Sequence, residues 1–179
     1  MKNKKISKKD KKNYLKIRKN VENFLKKQSK YYDSDLKIIL DIAPQIHKGS
    51  KEFFVKSKIM TADIDKNSNS DFIIDICQNN ENLIKSETFD VVICTEVLEH
   101  TKNPFSAINE IYRILKNDAI LLITTPFDFR IHGPLPDCWR FTEHGLRELL
   151  KKFKNIEIVG LENKKRFLMP LHYTIKAIK

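Results

Sequence analysis

Glycine is scarce: the 179 residues contain four, and none precedes Gly49. A G-x-G-x-x-G turn is therefore missing after the first apolar segment, which argues against a nicotinamide-dinucleotide site there. Cysteine is scarce as well. Cys77, Cys94 and Cys138 are odd in number and have no metal-ligand spacing, so reduced thiols in a cytoplasmic protein are the simplest reading, and no metal is expected. No apolar run approaches the ~20 residues of a membrane span. The basic amino terminus is not followed by the apolar stretch of a secretory signal. Internal repeats are absent, and the only biased segment is a lysine-rich start.

The net charge of +11 is confined to that start. Residues 1–30 hold thirteen Lys/Arg against two Asp/Glu, while the other 149 residues balance at 21 of each sign. Residues 1–12 are expected to be disordered, because dense like charge with little apolar content does not offset chain entropy. From Asn13 to Lys30, Tyr14, Ile17, Val21, Phe24 and Leu25 recur at helical spacing, predicting an amphipathic helix that packs on the domain formed by residues 31–179. Nucleic acid is a conceivable partner of the arm, but Arg clustering and aromatic interleaving are missing.

After the arm, strands and helices alternate. Leu36–Ile42, Lys58–Ile64, Asp71–Ile76, Phe89–Cys94, Ala119–Pro126, Ile156–Leu161 and Leu171–Ile178 read as seven strands. Helices are expected after Asn103-Pro104, and from a Thr142 cap through Phe153. Lys116-Asn117-Asp118 reads as a turn. The pattern predicts an α/β, Rossmann-like seven-stranded sheet, mostly parallel, with helices on both faces. The last two strands are joined by too few residues for a helical crossover, so the final strand is expected to be antiparallel.

Polar residues gather at the strand ends. Phe89 to Cys94 is a short buried-strand run that breaks into Thr95-Glu96-Val97-Leu98-Glu99-His100, just where open α/β sheets bind ligands. Asp41, Asp63, Asp75 and Glu96 end successive strands and belong on one rim. A carboxylate closing the second strand can accept from both ribose hydroxyls of an adenosine, and Asp75 can read the adenine edge with Ile64 and Ile76 against the ring. The loop from His132 to Thr142 lies on the same rim and is the best candidate for an acceptor pocket. In it, His132 is a candidate base, Arg140 a clamp for an anionic group, and Trp139 a stacking surface. Asp137 completes the set, and Arg140 can equally pair with Asp137 or Glu143. His100, following Glu99, is a second acid/base candidate or a loop-fixing residue.

With these residues in view, the chain from about residue 36 onward resembles the class I S-adenosylmethionine-dependent methyltransferases, of the small bacterial type. The resemblance is carried by Ile39–Ile42, Thr61–Asp65, Asp75-Ile76, Phe89–His100, Asn109–Lys116 and His132–Thr142. It implies S-adenosylmethionine as cofactor, with Asp41, Ala43, Pro44 and Gln45 near its methionine end. It further implies Asp63 and Ile64 at the ribose and adenine, Asp75 and Ile76 at the adenine edge, and Thr95 and Glu96 along the methionine portion. The family loop after the first strand alternates glycines; here Ala43, Gln45 and His47 stand in those places. Methyl transfer to an oxygen or nitrogen of a small molecule, a sugar or cell-surface precursor among the candidates, is the leading expectation. A degenerate, non-catalytic scaffold and a nucleic-acid methyltransferase guided by the basic arm are the alternatives.

Overall fold

The computed structural model describes residues 6–44, 49–163 and 166–179. Its first element, α1 (Lys8–Tyr32), starts five residues earlier than the apolar periodicity predicts. The reason is local. Ser7 accepts a hydrogen bond from the Asp10 amide at 3.0 Å and gives its own hydroxyl to the Asp10 carboxylate, so residues 8–12 are helical rather than disordered. Ile17, Val21 and Leu25 form the buried stripe, each contributing about 1.5–3 kcal/mol by leaving water. The lysines ring the other faces. From residue 6 onward the basic segment is continuous with the packed structure; residues 1–5 of the expected disordered stretch lie outside the described residues.

Seven strands follow in one sheet: β1 (Ile38–Ile42), β2 (Lys58–Asp63), β3 (Phe72–Ile73), β4 (Phe89–Thr95), β5 (Leu115–Pro126), β6 (Lys154–Leu161) and β7 (His172–Ile178). Their order is β3-β2-β1-β4-β5-β7-β6. The first five run parallel, and β7 is antiparallel to both β5 and β6. This is the predicted architecture, including the reversed final strand. Two helices complete it: α2 (Pro104–Ile114), capped by Asn103, and α3 (Glu143–Leu149), capped by Thr142 as expected but shorter than predicted.

Alternation along the central strands sends side chains to two cores. Leu40, Val92, Leu121 and Ile123 pack under α2 and α3, against Ile108, Ile111, Leu146 and Leu150. Ile39, Val91, Ile93, Ile120 and Leu122 pack beneath α1 and Phe54. A strand buried on both faces must be apolar at nearly every position, which is why Val91–Cys94 and Ala119–Ile123 are unbroken apolar runs.

Two expectations change. β3 has two residues instead of six, because Asp71 takes the Thr61 amide and hydroxyl with its side chain, at 2.7 and 2.9 Å. Residues 116–118 form no separate turn. Leu115 already pairs with Phe89, and the slack is absorbed as a bulge around Asp118, at φ 58°, before Val91 pairs with Ile120.

Candidate functional site at the carboxyl rim

The parallel register brings Ala43, Ile64, Glu96 and the end of β5 to one edge of the sheet. β7 runs the other way, so its first residue, His172, arrives at that edge opposite Pro126.

The expected cofactor residues divide by what they already hold. Asp41 is buried, and its Oδ2 accepts from the Ser50 amide at 2.8 Å; burial pushes its carboxyl upward despite that bond. It ties the loop after β1 back onto the strand. Gly49, at φ +57°, makes this possible, since a Cβ there would lie 2.5 Å from Asp41 Oδ2 and 2.8 Å from Pro44 Cβ. Ala43 itself stands at φ 52°, the left-handed conformation usually left to glycine, and gives its amide to Ala62 at 2.7 Å. Pro44 follows, half exposed; Gln45 lies outside the described residues. Asp63 is buried at the end of β2, with one carboxylate oxygen accepting from the Asp65 amide at 2.9 Å, while Ile64 beside it is 69% exposed. Asp75 takes the Cys77 amide at 2.9 Å and Ile76 is buried. Thr95 is half-buried and pairs with Thr124.

Glu96, at φ 56°, holds the most connected position on the rim. Its Oε1 accepts from Thr124 Oγ1 at 2.9 Å and lies 2.7 Å from Nε2 of the fully buried His172. His172 Nδ1 reaches Asn20 of α1 at 2.9 Å. Burial opposes ionisation of Glu96, but His172 and Thr124 outweigh it and hold the carboxyl below its ordinary value. Sequence reasoning missed His172 and Asn20, since neither sits in a polar strand-end cluster.

The loop after β5 folds onto the turn Leu98–His100. Cys138 and Trp139 both donate backbone amides to the Glu99 carbonyl, at 2.7 and 3.1 Å. Trp139 donates its indole N–H to Thr101 at 2.8 Å and stacks on Phe141. Arg140 grips Asp137, with Nη2 at 2.7 Å from Oδ2, and also donates to the Trp139 and Arg130 carbonyls. Asp137 in turn takes the His132 amide at 2.9 Å and faces His132 Nδ1 at 3.0 Å. Burial alone would raise Asp137; the Arg140 guanidinium and the His132 amide bring it down to about 2. Of the two acceptor-loop pairings expected for Arg140, Asp137 is the one formed, so the guanidinium staples the loop.

His132 and His100 come together, their rings 4.9 Å apart. Both approach Glu99, which is fully buried and whose two carboxylate oxygens have no hydrogen-bond partner. Burial, reinforced by Glu96, pushes the Glu99 carboxyl well above the ordinary glutamate range. Desolvation lowers His132 below the ordinary imidazole value, with His100 and Arg140 pulling the same way against Asp137. A cavity of about 450 Å³ opens beside His132, walled by Ile6, Tyr14 and Leu15 of the α1 end and by Phe129.

A family model described as a methyltransferase domain matches residues 39–123. Among solved structures, the chain resembles a SAM-dependent methyltransferase from Archaeoglobus fulgidus, with 15% identity, 93% of this chain and 99% of that one covered, and a TM-score of 0.66. It also resembles a possible histamine N-methyltransferase from Thermotoga maritima, at 13% identity, 96% and 95% coverage and a TM-score of 0.67. Among curated proteins, a ubiquinone biosynthesis O-methyltransferase of Glaesserella parasuis is 48% identical over 40 residues, 22% of this chain and 17% of that protein. The chain thus matches about a sixth of that relative's length. The fold is that of the class I S-adenosylmethionine-dependent methyltransferases, and residues 39–123 match a methyltransferase-domain model. S-adenosylmethionine is the methyl donor of that class. Among the described residues, no helix is long and apolar enough to cross a membrane.

Proposed function

We propose that the protein transfers the methyl group of S-adenosylmethionine to a hydroxyl or amine of a small molecule. The observation that carries this reading is the meeting of two half-sites at one rim. Glu96, on the side expected to hold the donor, lies within electrostatic reach of His132, which borders the cavity. In-line transfer from a sulfonium needs alignment above all, and a shared rim is what alignment requires. Asp63 accepts the ribose hydroxyls, with the exposed Ile64 against the adenine; Asp75 and Ile76 read its edge. Thr95 and Glu96 border the methionine portion, with Ala43 and Pro44 beside it.

The cavity suits a small acceptor, since such sites commonly measure about 300–1,000 Å³. The acceptor loses its proton at the His100–His132 pair. Burial favours the neutral form of His132, whose backbone amide is held by Asp137, itself gripped by Arg140. Trp139 shapes the loop through its bond to Thr101. Isothermal titration with S-adenosylmethionine and S-adenosylhomocysteine tests the donor half. Transfer of labelled methyl into a metabolite extract tests the acceptor half. Binding of neither nucleoside removes the proposal.

A further inference from the structure

Three atoms of metal-ligand type, one carboxylate oxygen and two imidazole nitrogens, converge beneath the acceptor loop. His100 Nδ1 lies 3.0 Å from the Pro136 carbonyl oxygen, which can only accept, so the proton sits on Nδ1 and Nε2 carries a lone pair. His132 Nδ1 lies 3.0 Å from the Asp137 carboxylate but makes no hydrogen bond to it. Those two Nε2 atoms point at the same oxygen, Glu99 Oε1, from 3.8 and 3.7 Å. All three atoms lie within 4.8 Å of one another. Glu99 is fully buried, and neither of its oxygens is hydrogen-bonded. A buried polar group left so costs about 1–3 kcal/mol, more when charged. One carboxyl proton would serve one imidazole and leave the other facing nothing, and the separations exceed hydrogen-bond length.

We propose that Glu99, His100 and His132 form a binding site for a divalent transition metal ion. Ligand bonds of about 2.0–2.2 Å to imidazole and carboxylate place the donor atoms of a shell about 3–4 Å apart, close to the spacing here. His100 is fixed through its other nitrogen by a backbone carbonyl, as metal-bound histidines are, and His132 Nδ1 lies 3.0 Å from the Asp137 carboxylate. Two imidazoles and one carboxylate select zinc or manganese over magnesium or calcium. Glu96 lies outside this cluster, and its Oε1 is held by His172 and Thr124. The side chains of His100 and His132 are 14% and 18% exposed, so the site is open on one side, where the cavity borders His132.

The site stands on its own geometry; its use rests on the methyl-transfer reading. An acceptor hydroxyl bound to the ion loses its proton to water more readily. Its oxygen then forms the new C–O bond as the S–CH₃ bond breaks, giving S-adenosylhomocysteine. With the ion in place, His132 acts as a ligand.

Chelator-stripped protein comprising residues 1–179 is titrated with Zn²⁺ and separately with Mn²⁺, and bound metal is counted by elemental analysis. Co²⁺ is added to read coordination from its visible spectrum. The expected result is one Zn²⁺ or Mn²⁺ per chain, an imidazole-type Co²⁺ spectrum, and at least a tenfold loss of affinity in Glu99→Gln, His100→Asn and His132→Asn. Glu99→Gln fills the acceptor cluster with amide protons and is expected to fold; should it fail, the partly exposed His100→Asn carries the test. Failure of both metals to bind stoichiometrically overturns the site, as does unchanged affinity in the variants. S-adenosylhomocysteine binding, measured on the same samples without metal, separates that failure from failure of the methyl-transfer reading.

Discussion

His172 Nε2 lies 2.7 Å from Glu96 Oε1, joining the first residue of β7 to the residue that follows β4 across the intervening β5. Asn20 extends the link to α1. A rim residue thus depends on the amino-terminal helix, 76 positions away from Glu96 in the chain.

Removing His172 should be felt at both ends. His172→Ala leaves a largely buried carboxylate with one partner fewer, so a loss of about 1–3 kcal/mol in urea unfolding is expected. Asn20→Ala, which removes only the outer link, should cost less. Equal stability of His172→Ala and the parent protein would show that the link carries no weight.

Gly49 is the glycine whose replacement the loop after β1 cannot absorb. Gly49→Ala places a methyl 2.5 Å from Asp41 Oδ2 at a left-handed φ, and is expected to cost about 1–3 kcal/mol and to weaken S-adenosylhomocysteine binding. Ala43→Gly relieves the left-handed strain at φ 52°, offset by a looser unfolded chain, so stability should change by about 1 kcal/mol or less. Thermal unfolding of the two variants checks both.

Acid should weaken the fold partly through Glu110. Burial opposes its ionisation, but Arg113 and the Asn80 amide hold its carboxyl below the ordinary value of 4.5. A carboxyl lowered in the folded state stabilises above its unfolded value, and that contribution is lost as pH falls through the folded one. Stability measured from pH 7 down to pH 3 should therefore drop below about 4.5, and drop less steeply in Glu110→Gln. Parallel curves for the two proteins would remove Glu110 from the account.

The sheet was legible because its signals are local and redundant. Val91–Cys94 is apolar on both faces, and only a doubly covered central strand demands that. The short link between the last strands forced the antiparallel pair. The missed features depend on distant partners. Nothing near His172 announces Glu96, and Asp118 reads as a turn until Leu115 is seen to pair with Phe89. Ser7 was a visible cap overshadowed by the charge around it. In the site, His100, His132, Asp137 and Arg140 were named as chemistry, and the structure brings them together. Glu99 was passed over because a Val-Leu-Glu-His run does not reveal which carboxylate turns inward; its complete burial makes it the centre of that cluster.

The donor site is most exposed to test at Asp63. Its carboxylate is proposed to accept both ribose hydroxyls, and charge-assisted bonds of this kind contribute about 1.5–3 kcal/mol each. Titration of the parent protein and Asp63→Ala with S-adenosylhomocysteine should give one molecule bound per chain and at least a tenfold weaker affinity in the variant, with both proteins folded. A parent protein that binds no S-adenosylhomocysteine, or a variant that binds it equally well, would contradict the account.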